Sequence, residues 1–133
     1  MSAHKNKKSI LNCINLFNKC TLEWIDSCYS KKLDWIEFSN PSIPKGRKGD
    51  YLAFRAAAEN LLRFFPDRKL TVLRSVAEGD CVVLEQEWNG TLATSTSNHK
   101  AGEISKLRIV SFFTLENELI IKQIDYCAQV NQI

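Results

Sequence analysis

Apolar positions follow two different periods along the chain, and the change from one to the other divides it. Between residues 9 and 29, Ile10, Ile14, Phe17, Thr21, Trp24 and Cys28 recur in alternating steps of four and three. That is one face of an amphipathic helix, with Ser9 placed as its N-cap. Lys31 and Lys32 close it, Leu33 to Phe38 reads as a short strand ended by Asn40 and Pro41, and a loop with Pro44, Gly46 and Gly49 comes next. Asp50 can cap a second helix whose buried row is Phe54, Ala58, Leu61 and Phe65, stopped at Pro66. From Leu70 onward the pattern is that of strands: Leu70 to Ala77, Cys81 to Thr94, Ile104 to Leu115 and Leu119 to Val130. Their connections are Glu78-Gly79-Asp80, a polar loop from about Ser95 to Glu103, and Glu116-Asn117-Glu118. Helices first and a meander of long strands afterwards predict an α+β fold, with helices covering one face of a curved antiparallel sheet. Residues 1–8 are expected to form a flexible tail on a single domain.

Strand alternation then assigns faces. Glu85 and Glu87 share one side of their strand, and two carboxylates under a helical layer would be costly, so Gln86 and Trp88 point inward. Lys106 and Arg108 belong outside, where they can meet Glu85 and Glu87 across strands; Leu107, Ile109, Ser111 and Phe113 then face in. In the last strand Lys122 lies outside with Ile120, Ile124 and Tyr126, which leaves Ile121, Gln123 and Asp125 inside. The inner face is thus apolar with a few polar groups, the make-up of a small-molecule pocket, and Trp24, Trp35 and Phe54 can supply aromatic walls. The outer face mixes charges with Val110, Phe112, Ile120, Ile124 and Tyr126, an apolar patch that predicts a homodimer through the sheet.

Composition narrows the function classes. The 133 residues are 44% hydrophobic and 25% charged, enough for one core without a disulfide or metal staple. A formal charge of +3 is mild for a nucleic-acid binder, and the clusters Lys5, Lys7, Lys8 and Lys45, Arg47, Lys48 read as solvated surface. Five cysteines without a CxxC pair support neither a disulfide framework nor a zinc site and fit a reducing compartment. Glu85 and Glu87 lack a His to complete a metal site, so no metal and no cofactor is expected. The basic start resembles a signal n-region, but Asn12, Asn15 and Asn18 interrupt the run after it, and no stretch of roughly 20 apolar residues offers a membrane span. The expectation is a cytoplasmic protein.

The segments Phe64-Phe65-Pro66-Asp67, Val76-Ala77-Glu78-Gly79-Asp80-Cys81-Val82-Val83 and Gly90-Thr91, with Phe112 to Asp125 around a short acidic turn, resemble SnoaL-like members of the NTF2-like superfamily. The resemblance implies a conical α+β barrel wrapped around helices, a cavity at its wide end, and frequent dimers. It also implies a range of chemistries that includes polyketide cyclases, ketosteroid isomerases and limonene epoxide hydrolases. Asp125 looks like the last-strand acid that the epoxide hydrolases use as an acid or base. Where those hydrolases place an Arg and an Asp, this chain has Gln86 and Trp88, so their reaction is not expected. Many cyclases carry a His after the Gly-Thr pair; here Leu92 stands there, and His99 lies in the polar loop. Nor does Asp34 align as an isomerase base.

The candidate chemistry is general acid–base catalysis by a desolvated Asp125 on a largely apolar carbonyl compound, with Gln86 or Gln123 donating to a developing oxyanion. The expected enzyme class is a cofactor-free isomerase, cyclase or hydratase. Its alternatives are a structural carboxylate that hydrogen-bonds backbone or pairs with Arg55 or Arg74 to fix the barrel mouth, and a non-catalytic ligand-binding or dimerisation module on the same cone. Cargo binding has only the Lys45 to Lys48 loop in its favour.

Overall fold

A computed structural model describes residues 2–130. Three helices, α1 (Ala3–Phe17), α2 (Glu23–Cys28) and α3 (Tyr51–Phe64), pack against six strands. These are β1 (Tyr29–Glu37), β2 (Arg47–Gly49), β3 (Lys69–Glu78), β4 (Cys81–Thr91), β5 (Ile104–Glu116) and β6 (Leu119–Gln129). They form one curved sheet in the order β2-β1-β6-β5-β4-β3. Pairing is antiparallel except for β1 against β6, which run parallel with Trp35 opposite Gln123 and Glu37 opposite Asp125. The chain needs all of α3 and the β3–β6 meander to return beside β1 in the same direction.

The N-terminal helix expected over 9–29 is two helices, and the tail expected over 1–8 lies largely within the first of them. Ser2, not Ser9, is the N-cap, its hydroxyl accepting from Lys5 N at 3.1 Å. The buried stripe continues back from Ile10 by one step of four to Asn6, whose amide donates to Gly79 O at 3.2 Å in the β3–β4 turn. A polar residue on the stripe, set among lysines, masks that turn of helix in the sequence. The helix ends because Asn18 finds better partners elsewhere. Its side-chain amide donates to Leu70 O and accepts from Leu70 N, both at 2.8 Å, copying a strand ladder onto the start of β3. Cys20 then turns back at φ 60°. Trp24 returns to the same side as Phe17, which is why the helical spacing looks unbroken in the sequence. Beneath this turn Arg68 is fully buried, its guanidinium 4.2 Å over the Phe17 ring, and burial pulls its pKa down.

Elsewhere the local chemistry acts as read. Asp50 caps α3 by accepting from Ala53 N at 3.0 Å. Asn117 and Glu118 both adopt positive φ in the two-residue β5–β6 turn, the mirror-image geometry that suits the twist of a hairpin. The loop after β1 contains the short strand β2, which the sequence pattern does not predict. It holds Glu37 to Arg47 at 3.0 Å and sets Gly49 beside Trp35.

One inward assignment is overturned. Thr114 pairs with Lys122 but Leu115 pairs with Ile120, so Ile121 is an extra residue in β6, a β-bulge. The bulge flips the parity at the start of the strand. Ile120, expected outside, is 1% exposed and joins the core, while Ile121 is only half-buried and does not line the cavity. Past the bulge the expected alternation holds: Gln123 and Asp125 are buried, Lys122 and Tyr126 exposed.

Candidate functional site

The concave face of the sheet and the three helices line an open-mouthed cavity of about 1300 Å³ that extends to its exposed rim. Its aromatic wall is a connected cluster in which Trp24 contacts Phe17, Tyr29 and Phe54 edge-on at 5.0–5.6 Å between centroids, and Trp35 meets Phe54 at 5.1 Å. Phe65 and Trp88 meet edge-on at 5.0 Å. Gly90 keeps that contact close: a Cβ would stand 3.0 Å from Phe65 and 3.1 Å from Trp88, so those rings would have to shift by a few tenths of an ångström to admit one. Arg47, Lys106, His99, Glu103 and the Pro41–Pro44 turn form a polar rim. His99 is exposed and lies 3.3 Å from Glu103.

The sequence placed Trp24, Trp35, Phe54, Gln86, Trp88, Ser111, Phe113, Gln123 and Asp125 together, and the structure brings all nine to this one cavity. Ile121 is the exception, turned out of it by the bulge in β6. Register explains how the polar members meet. Ser111 and Asp125 are directly opposite on β5 and β6, and Trp35 is opposite Gln123 on β1 and β6.

Asp125 is the hub. Its Oδ1 accepts from Ser111 Oγ at 2.6 Å and from Gln123 Nε2 at 3.1 Å; its Oδ2 accepts from Gln123 Nε2 at 3.0 Å and from Trp35 Nε1 at 3.2 Å. Two further residues orient these donors. Tyr29 OH donates to Gln123 Oε1 at 2.5 Å, and Gln86 Nε2 donates to Ser111 Oγ at 3.0 Å. Burial pushes the Asp125 carboxyl above its ordinary value; the bonds from Ser111, Gln123 and Trp35 pull the other way, and the charge of Glu37 adds to the rise. Arg55 and Arg74 do not serve it: Arg55 binds Asp26 at 2.6 Å and Arg74 lies 3.4 Å from Glu85. Glu85 also meets Arg108 at 3.4 Å, one of the outer-face pairings the alternation allowed.

This arrangement can hold two protonation states. All bonds to Asp125 are donated to it, the pattern of a carboxylate. When Oδ1 carries a proton, Ser111 can turn to accept it and pass its own hydrogen to Gln86. That reversal needs the Gln86 amide to turn over, so that Oε1, buried with no partner among the described residues, replaces Nε2 beside Ser111. The indole N–H groups of Trp24 and Trp88 are likewise unpartnered among them. Residues that sequence reasoning missed are Tyr29, hidden by its assignment to a helix end, and Cys127, two places beyond Asp125 on the same face, whose thiol burial pushes up to about 12. Strand parity from Asp125 was the available signal for Cys127.

The model of a family described as a SnoaL-like domain matches residues 11–123. Among solved structures, AclR of Streptomyces galilaeus, a proposed hydroxylase, superposes with a TM-score of 0.81 at 18% identity, over 95% of this chain and 80% of that one. IdmH of Streptomyces antibioticus, a proposed polyketide cyclase, gives 0.79 at 18% identity over 93% and 92%. AusH of Aspergillus nidulans gives 0.77 at 17% identity over 95% and 85%. At these identities the likeness is one of fold. A comparison with curated protein sequences gave no match.

Proposed function

Starting from the fact that the chain belongs to the SnoaL-like domain family, we propose that it binds a largely apolar carbonyl compound inside the cone and moves a proton on it with Asp125. The reaction class is isomerisation, cyclisation or hydration. The observation that carries the reading is a buried carboxyl with a raised pKa, held in a cavity beside a hydroxyl, that of Ser111, able to donate to it or accept from it. Proton abstraction beside a carbonyl is helped by a carboxylate more basic than an exposed one, the direction in which burial moves Asp125. The volume exceeds the roughly 300–1000 Å³ of common small-molecule pockets, which favours a multi-ring or folded-chain ligand. The unpartnered N–H groups of Trp24 and Trp88 are candidate donors to its oxygens.

A second reading, a binding module without chemistry, is favoured by one feature: every bond drawn to Asp125 is already made within the protein. Both readings require the cavity to take a ligand. All three tryptophans of the chain line it, so intrinsic fluorescence reports on its contents. Titration with cyclic ketones, enones and hydroxylated aromatic ketones is expected to give saturable quenching by at least one class, with density for it beside Asp125 in a soaked crystal. No quenching across such a panel sinks both readings.

The reading includes a homodimer through the convex face, in the cytoplasm. Phe112 and Tyr126 are 40% and 46% exposed, and Phe38 stacks on Tyr126 at 5.0 Å to form one apolar strip. Ile120 no longer belongs to that patch. Light scattering is expected to give the dimer mass for the native chain and the monomer mass for Tyr126→Lys combined with Phe112→Lys. A native monomer removes this part of the proposal.

A further inference from the structure

We infer that Cys13 and Cys28 form a thiol pair that a peroxide oxidises reversibly to a disulfide. Their separation in sequence gives no motif, and the fold creates the pair. Cys13 lies on the buried side of α1, and Cys28 is the last residue of α2; the α1–α2 turn sets both side chains on the wall of one small pocket, close enough for each thiol to perturb the other. Both line a second pocket of about 190 Å³, whose other walls include Ser9, Asn12, Ser27 and Glu118. Cys28 is half-buried there, so a small oxidant can reach it, whereas Cys13 is 4% exposed.

The two sulfurs are not equivalent. The hydrogen bond from Cys13 lowers the pKa of Cys28, while that bond and burial raise the pKa of Cys13. Cys28, the thiol a small oxidant can reach, is the attacking thiolate and the buried Cys13 the resolving thiol, an order the two shifts agree with. The thiolate of Cys28 attacks one peroxide oxygen, the O–O bond breaks, and hydroxide leaves, giving a sulfenic acid. Cys13 sulfur then attacks that sulfenic sulfur and water leaves. Two thiols and one hydrogen peroxide become one disulfide and two waters. The other three cysteines are internal controls. Cys20 sulfur donates to the carbonyls of Asn18 and Arg68, and burial raises the thiols of Cys81 and Cys127.

The pair stands against the main site. Cys13 also lines the large cavity, and Cys28 precedes Tyr29, whose hydroxyl orients Gln123 on Asp125. Trp24, edge-on to Tyr29 at 5.4 Å, is the optical reporter.

The reduced full-length chain is treated with one equivalent of hydrogen peroxide, blocked with N-ethylmaleimide and mapped by peptide mass spectrometry. The expected result is loss of two of five titratable thiols, a Cys13–Cys28 linked peptide, a change in tryptophan emission, and recovery of all of these with dithiothreitol. In Cys13→Ser, Cys28 is expected to accumulate as a dimedone-reactive sulfenic acid. Linkage of either cysteine to a different one, irreversible oxidation of Cys28 with Cys13 left alkylatable, or five unreacted thiols overturns the inference. The wild-type map decides the matter even where a variant folds poorly.

Discussion

Asp125→Asn is expected to lower turnover of any substrate found for this protein by about 100- to 10,000-fold while leaving its affinity within a few-fold, the range set by loss of a positioned acid–base group. The amide keeps the shape of the side chain and cannot carry the proton. The split between the two parameters is the informative part. A ligand held by the aromatic wall and the rim has no need of the charge, so tryptophan quenching by the ligand should survive the change. Turnover that also survives removes Asp125 from the chemistry and puts the acid–base group elsewhere in the cavity. Loss of binding together with turnover makes Asp125 a binding group instead.

The same variant has a stability signature with a definite sign. Burial raises the folded pKa of Asp125 above its unfolded value, so the folded state holds the proton more tightly. That contribution favours folding at low pH. It is lost as pH rises from the ordinary carboxylate value, about 4, through the raised folded value, and stays constant above it. The substituted amide does not titrate. Wild type should therefore lose stability relative to Asp125→Asn over that window, measured as the difference between urea midpoints. Set against this is a pH-independent cost in the variant: its NH₂ group must face at least one of the donors that now converge from Ser111, Gln123 and Trp35. A difference that is flat with pH would show that Asp125 is ionised as easily folded as unfolded, and the argument for a poised base would go with it.

The faces of β4 and β5 were legible because each carries a like-charged pair, Glu85 with Glu87 and Lys106 with Arg108, that only the solvent side can accept. From those pairs Gln86, Trp88, Ser111 and Phe113 come by alternation alone. Asp125 was legible by the same parity and by a resemblance. What the sequence hid has a common cause: each hidden feature depends on a partner far along the chain. The break in the N-terminal helix rests on the amide of Asn18 meeting Leu70. The helical start rests on Asn6 meeting the turn at Gly79. Tyr29 begins a strand because β6 lies beside it, and the spacing of its neighbours is as good a helix end as a strand start. The thiol pair needs the fold to exist at all.

Truncation of the two adjacent isoleucines gives the sharpest test of the bulge. Ile120→Ala is expected to cost about 2–5 kcal/mol in urea unfolding, because a fully buried side chain leaves a cavity that its neighbours fill only in part. Ile121→Ala should cost under about 1 kcal/mol, since that side chain is half-buried outside the core and its removal opens no internal void. Uninterrupted alternation counted back from Asp125 gives the reverse order, with Ile121 inside and Ile120 on the surface. The two patterns differ by several-fold in effect at neighbouring positions, so one pair of melts separates them. The bulge lets Ile120 close the core beside Leu115 and Cys13 while Gln123 remains opposite Phe113 and Asp125 opposite Ser111. If Ile121 proves the costly residue, β6 has no extra residue at this point. The wall beneath the thiol pair is then built differently, although Asp125 keeps its side of the sheet under either register.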